Sequence, residues 1–155
     1  MSLDHVLENV AAMALQDWAM LVVEPAEDQA PAFEETLPAY HVQMGFSNQQ
    51  TDGIVELFCQ IGFARKICGS LIGVSHRRRL YDGDGLGDAL QELVNLITNY
   101  LTSELYGSDD SFEFTTPSIQ SVTAQDFANH SADTAICLIG EGEPVVLKCS
   151  ISTPQ

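Results

Sequence analysis

Residues 86–106 constrain this chain more than any other stretch. They read as one long helix with two sharply different faces. At about 100° per residue, Leu86, Leu90, Leu93, Val94, Ile97, Leu101 and Leu105 fall on one side, and Ala89, Leu96 and Tyr100 widen it. The opposite arc holds Asp88, Gln91, Glu92, Asn95, Thr98, Asn99 and Thr102. The first arc should face a core and the second solvent. A helix of this kind cannot hide its apolar arc alone, so the rest of the chain must supply a layer for it to lie on.

The flanking segments read as that layer. Leu3, Val6, Leu7, Val10, Ala11, Leu15, Trp18 and Leu21 recur at helical spacing over 3–23, and Ser2 suits the N-cap. Residues 24–38 are acidic and contain Pro25, Pro31 and Pro38, which predicts an irregular connection. Alternation over 39–47 and the run 54–60 predict two strands, with Asp52-Gly53 as the turn between them. Residues 61–73 read as a helix, the loop 81–85 leads into the long helix, and Gly107 suits its end. Strands are expected at 112–115, 119–123, 134–140 and 145–152, with 140–144 turning the last two into a hairpin. The order helix, strands, helices, strands predicts an α+β fold. Long helices would pack on one mostly antiparallel sheet, in a single domain over 1–155.

Composition excludes several classes of function. The net charge of −16 would repel nucleic-acid phosphates. The basic run His76-Arg77-Arg78-Arg79 is too short for a nucleic-acid footprint and reads as a solvated loop. No apolar stretch reaches membrane-crossing length, and the first residues lack the basic and apolar segments of a signal peptide, so a cytoplasmic protein is expected. Cys59, Cys68, Cys137 and Cys149 form no C-x-x-C pair, and the four histidines are scattered. Buried free thiols are expected, with no metal site. Asp82-Gly-Asp84 opens like a calcium loop but meets Leu86 at position five and Leu93 at position twelve. No P-loop, G-x-G-x-x-G or nucleophile elbow is present.

What remains is the polar arc. Glu92 and Asn95 lie three residues apart, so their side chains leave adjacent turns of one face, and Asn99 extends the stripe. Asparagine costs a helix interior about 0.5–0.7 kcal/mol relative to alanine. By pattern alone, an ordinary polar face tolerating two asparagines is the favoured reading.

The stretch from Asp88 through Glu92 and Asn95 to Asn99 resembles the helix of the CheC/CheX/FliY family of chemotaxis phosphatases, with its acidic residue, E-x-x-N pair and apolar spine. Met44-Gly45-Phe46-Ser47, Gly53-Ile54-Val55 and Phe63-Ala64 resemble the lead-in to that helix, and Thr116-Pro117-Ser118-Ile119 the segment after it. The family often has Gly where this chain has Asn99, then a small or polar residue in place of Tyr100. Glu8 has no Asn three residues on, so one motif is present, as in the CheX branch.

The resemblance implies a phosphatase for the aspartyl-phosphate of a CheY-like response-regulator receiver domain. Asn95 would orient the attacking water. Glu92 would anchor the helix to a receiver lysine. Asp88, Gln91, Asn99 and Thr102 would line the partner-binding face. It implies no cofactor of the protein's own, since the receiver would carry Mg²⁺, and it implies a homodimer, with strands such as 145–152 leaving an edge to cover. A non-catalytic module that docks a receiver or another signalling protein, and a structural domain without a receiver partner, are the other readings of the same residues.

Overall fold

The computed structural model describes residues 2–26, 33–70, 84–108, 111–128 and 132–153. The basic run 76–79, the tail of the expected 61–73 helix and most of the loop before the long helix lie outside them.

Helix α1 (Leu3–Ala19) starts where expected, with the Ser2 hydroxyl accepting from the His5 N–H. It ends four residues earlier than the spacing predicts. Met20 turns left-handed (φ 52°, ψ 34°), and the Leu21 N–H reaches back to the Leu15 carbonyl at 3.1 Å. Leu21 thereby enters the core from beyond the helix, so its helical spacing was fortuitous. Val23–Pro25 then forms strand β1, and Ala26 N–H continues the pairing to Cys137 O. The start of the 24–38 connection is therefore a sheet edge rather than irregular chain.

Strands β2 (Ala39–Ser47) and β3 (Asp52–Gln60) pair along their whole length. The turn is Asn48–Thr51, not Asp52-Gly53. The Asn48 Oδ1 accepts from the Gln50 and Thr51 N–H groups at 2.8 Å each, a local bond that makes asparagine a turn former. Helix α2 (Ile61–Ser70) and helix α3 (Asp84–Tyr106) follow. Gly107, at φ +81°, closes α3 with its N–H on Ser103 O at 2.9 Å. Short strands β4 (Glu113–Phe114) and β5 (Ser118–Val122), a helical turn α4 (Ala124–Ala128), and the hairpin of β6 (Thr134–Gly140) and β7 (Glu143–Ser152) complete the described chain. That hairpin turns at Glu141-Gly142, both at positive φ, as a two-residue primed turn demands.

All strand pairs are antiparallel, in the order β1-β6-β7-β3-β2-β4, with β5 also on β2. β7 lies between β3 and β6. The expectation that 145–152 leaves a free edge is overturned, because the edges are β1 and the β4–β5 side. One sheet face carries Val42, Met44, Phe46, Val55, Leu57, Leu138, Val145 and Leu147 into a core shared with α1, α2 and α3. On the other face Phe58 and Val146 seed a smaller cluster beside buried His41, Glu56 and Lys148.

Candidate functional site

The site begins with an irregularity at the sheet edge. β4 and β5 both pair with β2, Phe46 facing Phe114 and Gln43 facing Ser118. Between those pairs β2 has two residues, Met44 and Gly45, while the edge has three, Thr115, Thr116 and Pro117. The extra residue makes a bulge. It is pinned on both sides. Gly45 N–H donates to Thr115 Oγ1 at 2.8 Å, and Thr115 N–H returns to Gly45 O at 2.9 Å. From the helix side, Gln91 Nε2 donates to Pro117 O at 2.8 Å. Proline suits this place because a bulge leaves a strand residue without a ladder bond to make.

Helix α3 packs over β2, and an open groove of ≈ 410 Å³ runs between it and the bulge. Asp88, Gln91, Glu92 and Asn95 form the helix wall. Met44, Phe114, Thr115, Thr116 and Pro117 form the other. Glu92 and Asp88 are exposed, whereas Asn95 and Gln91 are half-buried. Among the described residues both charged side chains of the lining are acidic, which favours a cationic group from a partner. Phe114, 39 % exposed, offers an aromatic face at its rim. Phe114 is held by Phe112, whose ring sits edge-on to Phe46 at 5.7 Å and 5.2 Å from Tyr106. The groove wall is thus tied to the core and to the end of α3.

Four of the six residues expected at the site, Asp88, Gln91, Glu92 and Asn95, come together in this groove. Asn99 stands one turn along, half-buried. Its Nδ2 donates to Asn95 O at 2.7 Å and to Asn95 Oδ1 at 3.1 Å. Thr102, expected on the partner-facing arc, is buried, and so is Thr98. Both stand at the border of the two arcs. Thr98 Oγ1 donates to Val94 O at 2.7 Å, and Thr102 Oγ1 to Asn99 O at 3.1 Å. A hydroxyl that bonds back into its own helix can be covered without an unmet polar group, so these threonines join the buried arc. Thr102 is withdrawn from any docking face.

Sequence reasoning assigned no role to the groove's second wall. Thr116-Pro117 was visible as a segment after the long helix, and a proline inside a strand-like run is a signal of a broken ladder. That the break faces Glu92 and Asn95 depends on the pairing of β2 with both β4 and β5. Among the described residues no group of three or more His, Cys, Asp or Glu side chains is placed to hold a metal ion. None of the described helices is long and apolar enough to cross a membrane. Cys59, Cys68 and Cys149 are buried free thiols as expected, and Cys137 is half-buried.

No protein-family model matches the chain, and no curated protein does. Solved structures match over nearly the full length. The chemotaxis protein CheX from Vibrio vulnificus superposes with a TM-score of 0.72 at 16% identity, covering 98% of this chain and 97% of its own. CheX from Desulfovibrio desulfuricans gives 0.70 at 13% identity, covering 98% and 100%. The fold is that of the CheC/CheX/FliY proteins. CheX from Borrelia burgdorferi, whose structure is a complex with CheY, BeF₃ and Mg²⁺, gives 0.62 at 13% identity and covers 97% of each chain. CheC-like and FliY chains match as well. The CheX fold thus covers 98% of the chain, well beyond the residues that carry the sequence resemblance.

Proposed function

We propose that this protein accelerates hydrolysis of the aspartyl-phosphate of a CheY-like receiver domain. The observation that carries the reading is the groove that gathers exposed Glu92 and half-buried Asn95 from one face of α3. The existence of a CheX–CheY complex on this fold supports a receiver as the partner.

An acyl phosphate is a reactive mixed anhydride, so the protein need supply no nucleophile of its own. It needs to hold a water in line with phosphorus. The water oxygen bonds to phosphorus as the bond from phosphorus to the aspartyl oxygen breaks. The aspartyl oxygen keeps the electron pair as a carboxylate, and the displaced water proton passes to a phosphoryl oxygen, giving inorganic phosphate. Asn95, a carboxamide that can donate and accept, positions that water. Glu92 pairs with a lysine of the receiver, aided by the acidic mouth that Asp88 completes. The receiver brings the Mg²⁺ that holds the phosphoryl oxygens. The protein then needs no cofactor of its own and acts in the cytoplasm with its partner.

A homodimer belongs to the same reading. Met20 and Val22 are exposed beside edge strand β1, an apolar strip for a second copy to cover. A single-chain mass in solution scattering at every concentration would reject it.

The test is the decay of a phosphorylated receiver, with and without this protein. Faster release of inorganic phosphate, saturating with receiver concentration, is expected. Binding without faster decay would make the protein a docking module, and neither would reject the receiver altogether.

A further inference from the structure

The carboxamide of Asn95 is not free to turn. Asn99 Nδ2 lies 2.7 Å from Asn95 O and 3.1 Å from Asn95 Oδ1. The backbone carbonyl can only accept, so Asn99 must present its NH₂ end there. An NH₂ whose other hydrogen meets the Asn95 amide must meet an oxygen. The two contacts together therefore fix both amides. Asn95 Oδ1 faces Asn99, and Nδ2 is left on the side away from it. Asn95 lines the groove and Asn99 does not.

We propose that Asn99 is a positioning residue for the reaction. It locks Asn95 so that the groove is offered the Nδ2–H₂ group, a donor. This rests on the phosphatase reading above. Asn95 then holds the water by donating to its oxygen. A second lone pair of that oxygen stays free to form the bond to phosphorus, while both water hydrogens are left for phosphoryl or carboxylate oxygens. The base of the clamp is itself braced. Thr102 Oγ1 donates to Asn99 O at 3.1 Å from a buried position, which ties the turn carrying Asn99 to the turn below. A residue of this kind touches neither water nor phosphate, yet it decides which end of the catalytic amide does.

Two variants separate positioning from mere presence. Asn99→Ala removes the clamp and lets the Asn95 amide rotate. Asn99→Asp puts an acceptor where the donor was, which turns Asn95 Nδ2 towards residue 99 and Oδ1 towards the groove. With phosphorylated receiver, Asn99→Asp is expected to lower kcat by about 10–10²-fold, the scale on which misplaced reacting groups act. Asn99→Ala should fall between it and wild type, with KM within about twofold in both, since Asn99 does not line the groove. Side-chain amide NMR is the second readout. The wild-type Asn99 Nδ2 protons should exchange slowly and show small temperature coefficients, and Asn99→Ala should shift the Asn95 Nδ2 resonances. Wild-type kcat in Asn99→Asp, or Asn99 amide protons that exchange as fast as exposed ones, would overturn the inference while leaving the phosphatase reading standing. A wild-type protein that fails to accelerate receiver decay would overturn both.

Discussion

The ring of Phe46 occupies the space a Cβ on Gly53 would need. The two residues face each other across β2 and β3, and a methyl group built on Gly53 would stand 2.0 Å from Phe46 Cζ. Phe46 is 2 % exposed, so its ring has no open side to retreat to. Gly53→Ala is therefore expected to cost about 1–3 kcal/mol as an overpacking change. Phe46 also contacts Phe112, which holds the β4 wall of the groove. The variant should lower the thermal midpoint and weaken receiver binding together. An unchanged melt would mean that Phe46 repacks freely.

Asn95→Ala should still bind a phosphorylated receiver and lose most of the acceleration, by about 10²–10³-fold, the usual loss for one transition-state contact. Its melt should stay at wild type, because the site is only half-buried and alanine is the better helix former. Near wild-type turnover would refute the role given to Asn95. Lost activity with a collapsed melt would mean that a structural residue had been misread.

Glu92→Ala should act on binding. The side chain is exposed in the free protein and is expected to become buried against the partner's lysine. Leaving that lysine unpaired should weaken association by about 2–5 kcal/mol. Titration of receiver onto the variant by calorimetry measures it. Equal affinity with a lower kcat would exchange the roles of Glu92 and Asn95.

On the opposite sheet face, His41 Nε2 and Glu56 Oε1 lie 2.9 Å apart in a buried pair. The His41 ring stacks on the Phe58 ring at 4.2 Å, and Lys148 Nζ lies 5.3 Å from the centroid of the Phe58 ring. Glu56→Ala takes the acceptor from His41 and should cost about 1.5–3 kcal/mol in urea unfolding. Glu56→Gln keeps an acceptor and should cost less. Receiver decay should change in neither, since this face is not part of the groove.

The thiols set an alkaline limit. Burial raises the Cys149 pKa from 9.0 to about 12, with smaller pushes from Asp133 and Glu56. Burial raises Cys68 to about 11 and pushes Cys59 up further still, Glu143 adding to the latter. A raised pKa means that the folded state keeps a proton the unfolded chain releases. That stabilisation is whole below pH 9 and is lost as pH climbs through about 11 and 12. Burial shifts Lys148 downwards, which works the other way: the folded state holds the proton less well, so rising pH towards 10.5 relieves a penalty. Burial pushes Cys137 and Tyr106 upwards too, and four thiols and a phenol against one lysine should leave the melting temperature falling above about pH 9. Cys149→Ala should melt lower at neutral pH through lost packing yet fall less steeply above pH 9. Parallel curves from scanning calorimetry would reject the thiol account.

Much of the fold was legible because it follows local rules. The strands at Ala39–Ser47 and Thr134–Gly140 carry alternation bounded by turn formers, and their limits match the expectation. The long helix began two residues early and ended at Gly107 as expected. Errors arose where a local signal had a tertiary use. Asp52-Gly53 looks like a turn, but its glycine is there to seat Phe46 across the strands. Val23–Pro25 follows a helix and contains proline, yet it lies at an edge where only one side needs ladder bonds.

Sequence alone determined the two-faced helix, the α+β layering and the neighbourhood of Glu92 and Asn95, because helical period and strand alternation are written residue by residue. Tertiary structure decided three further things. It set the order β1-β6-β7-β3-β2-β4, which puts β7 inside the sheet, since pairing depends on which distant strands bury each other's edges. It built the second groove wall, because the bulge at Thr115–Pro117 exists only where β4 and β5 share β2. And it sorted the polar arc of α3. Thr98 and Thr102 sink by bonding back into their own helix, Glu92 stays in solvent, and Asn99 is half-covered beside Asn95. A helical wheel gives each side chain a direction, but what covers it depends on neighbours the wheel does not contain.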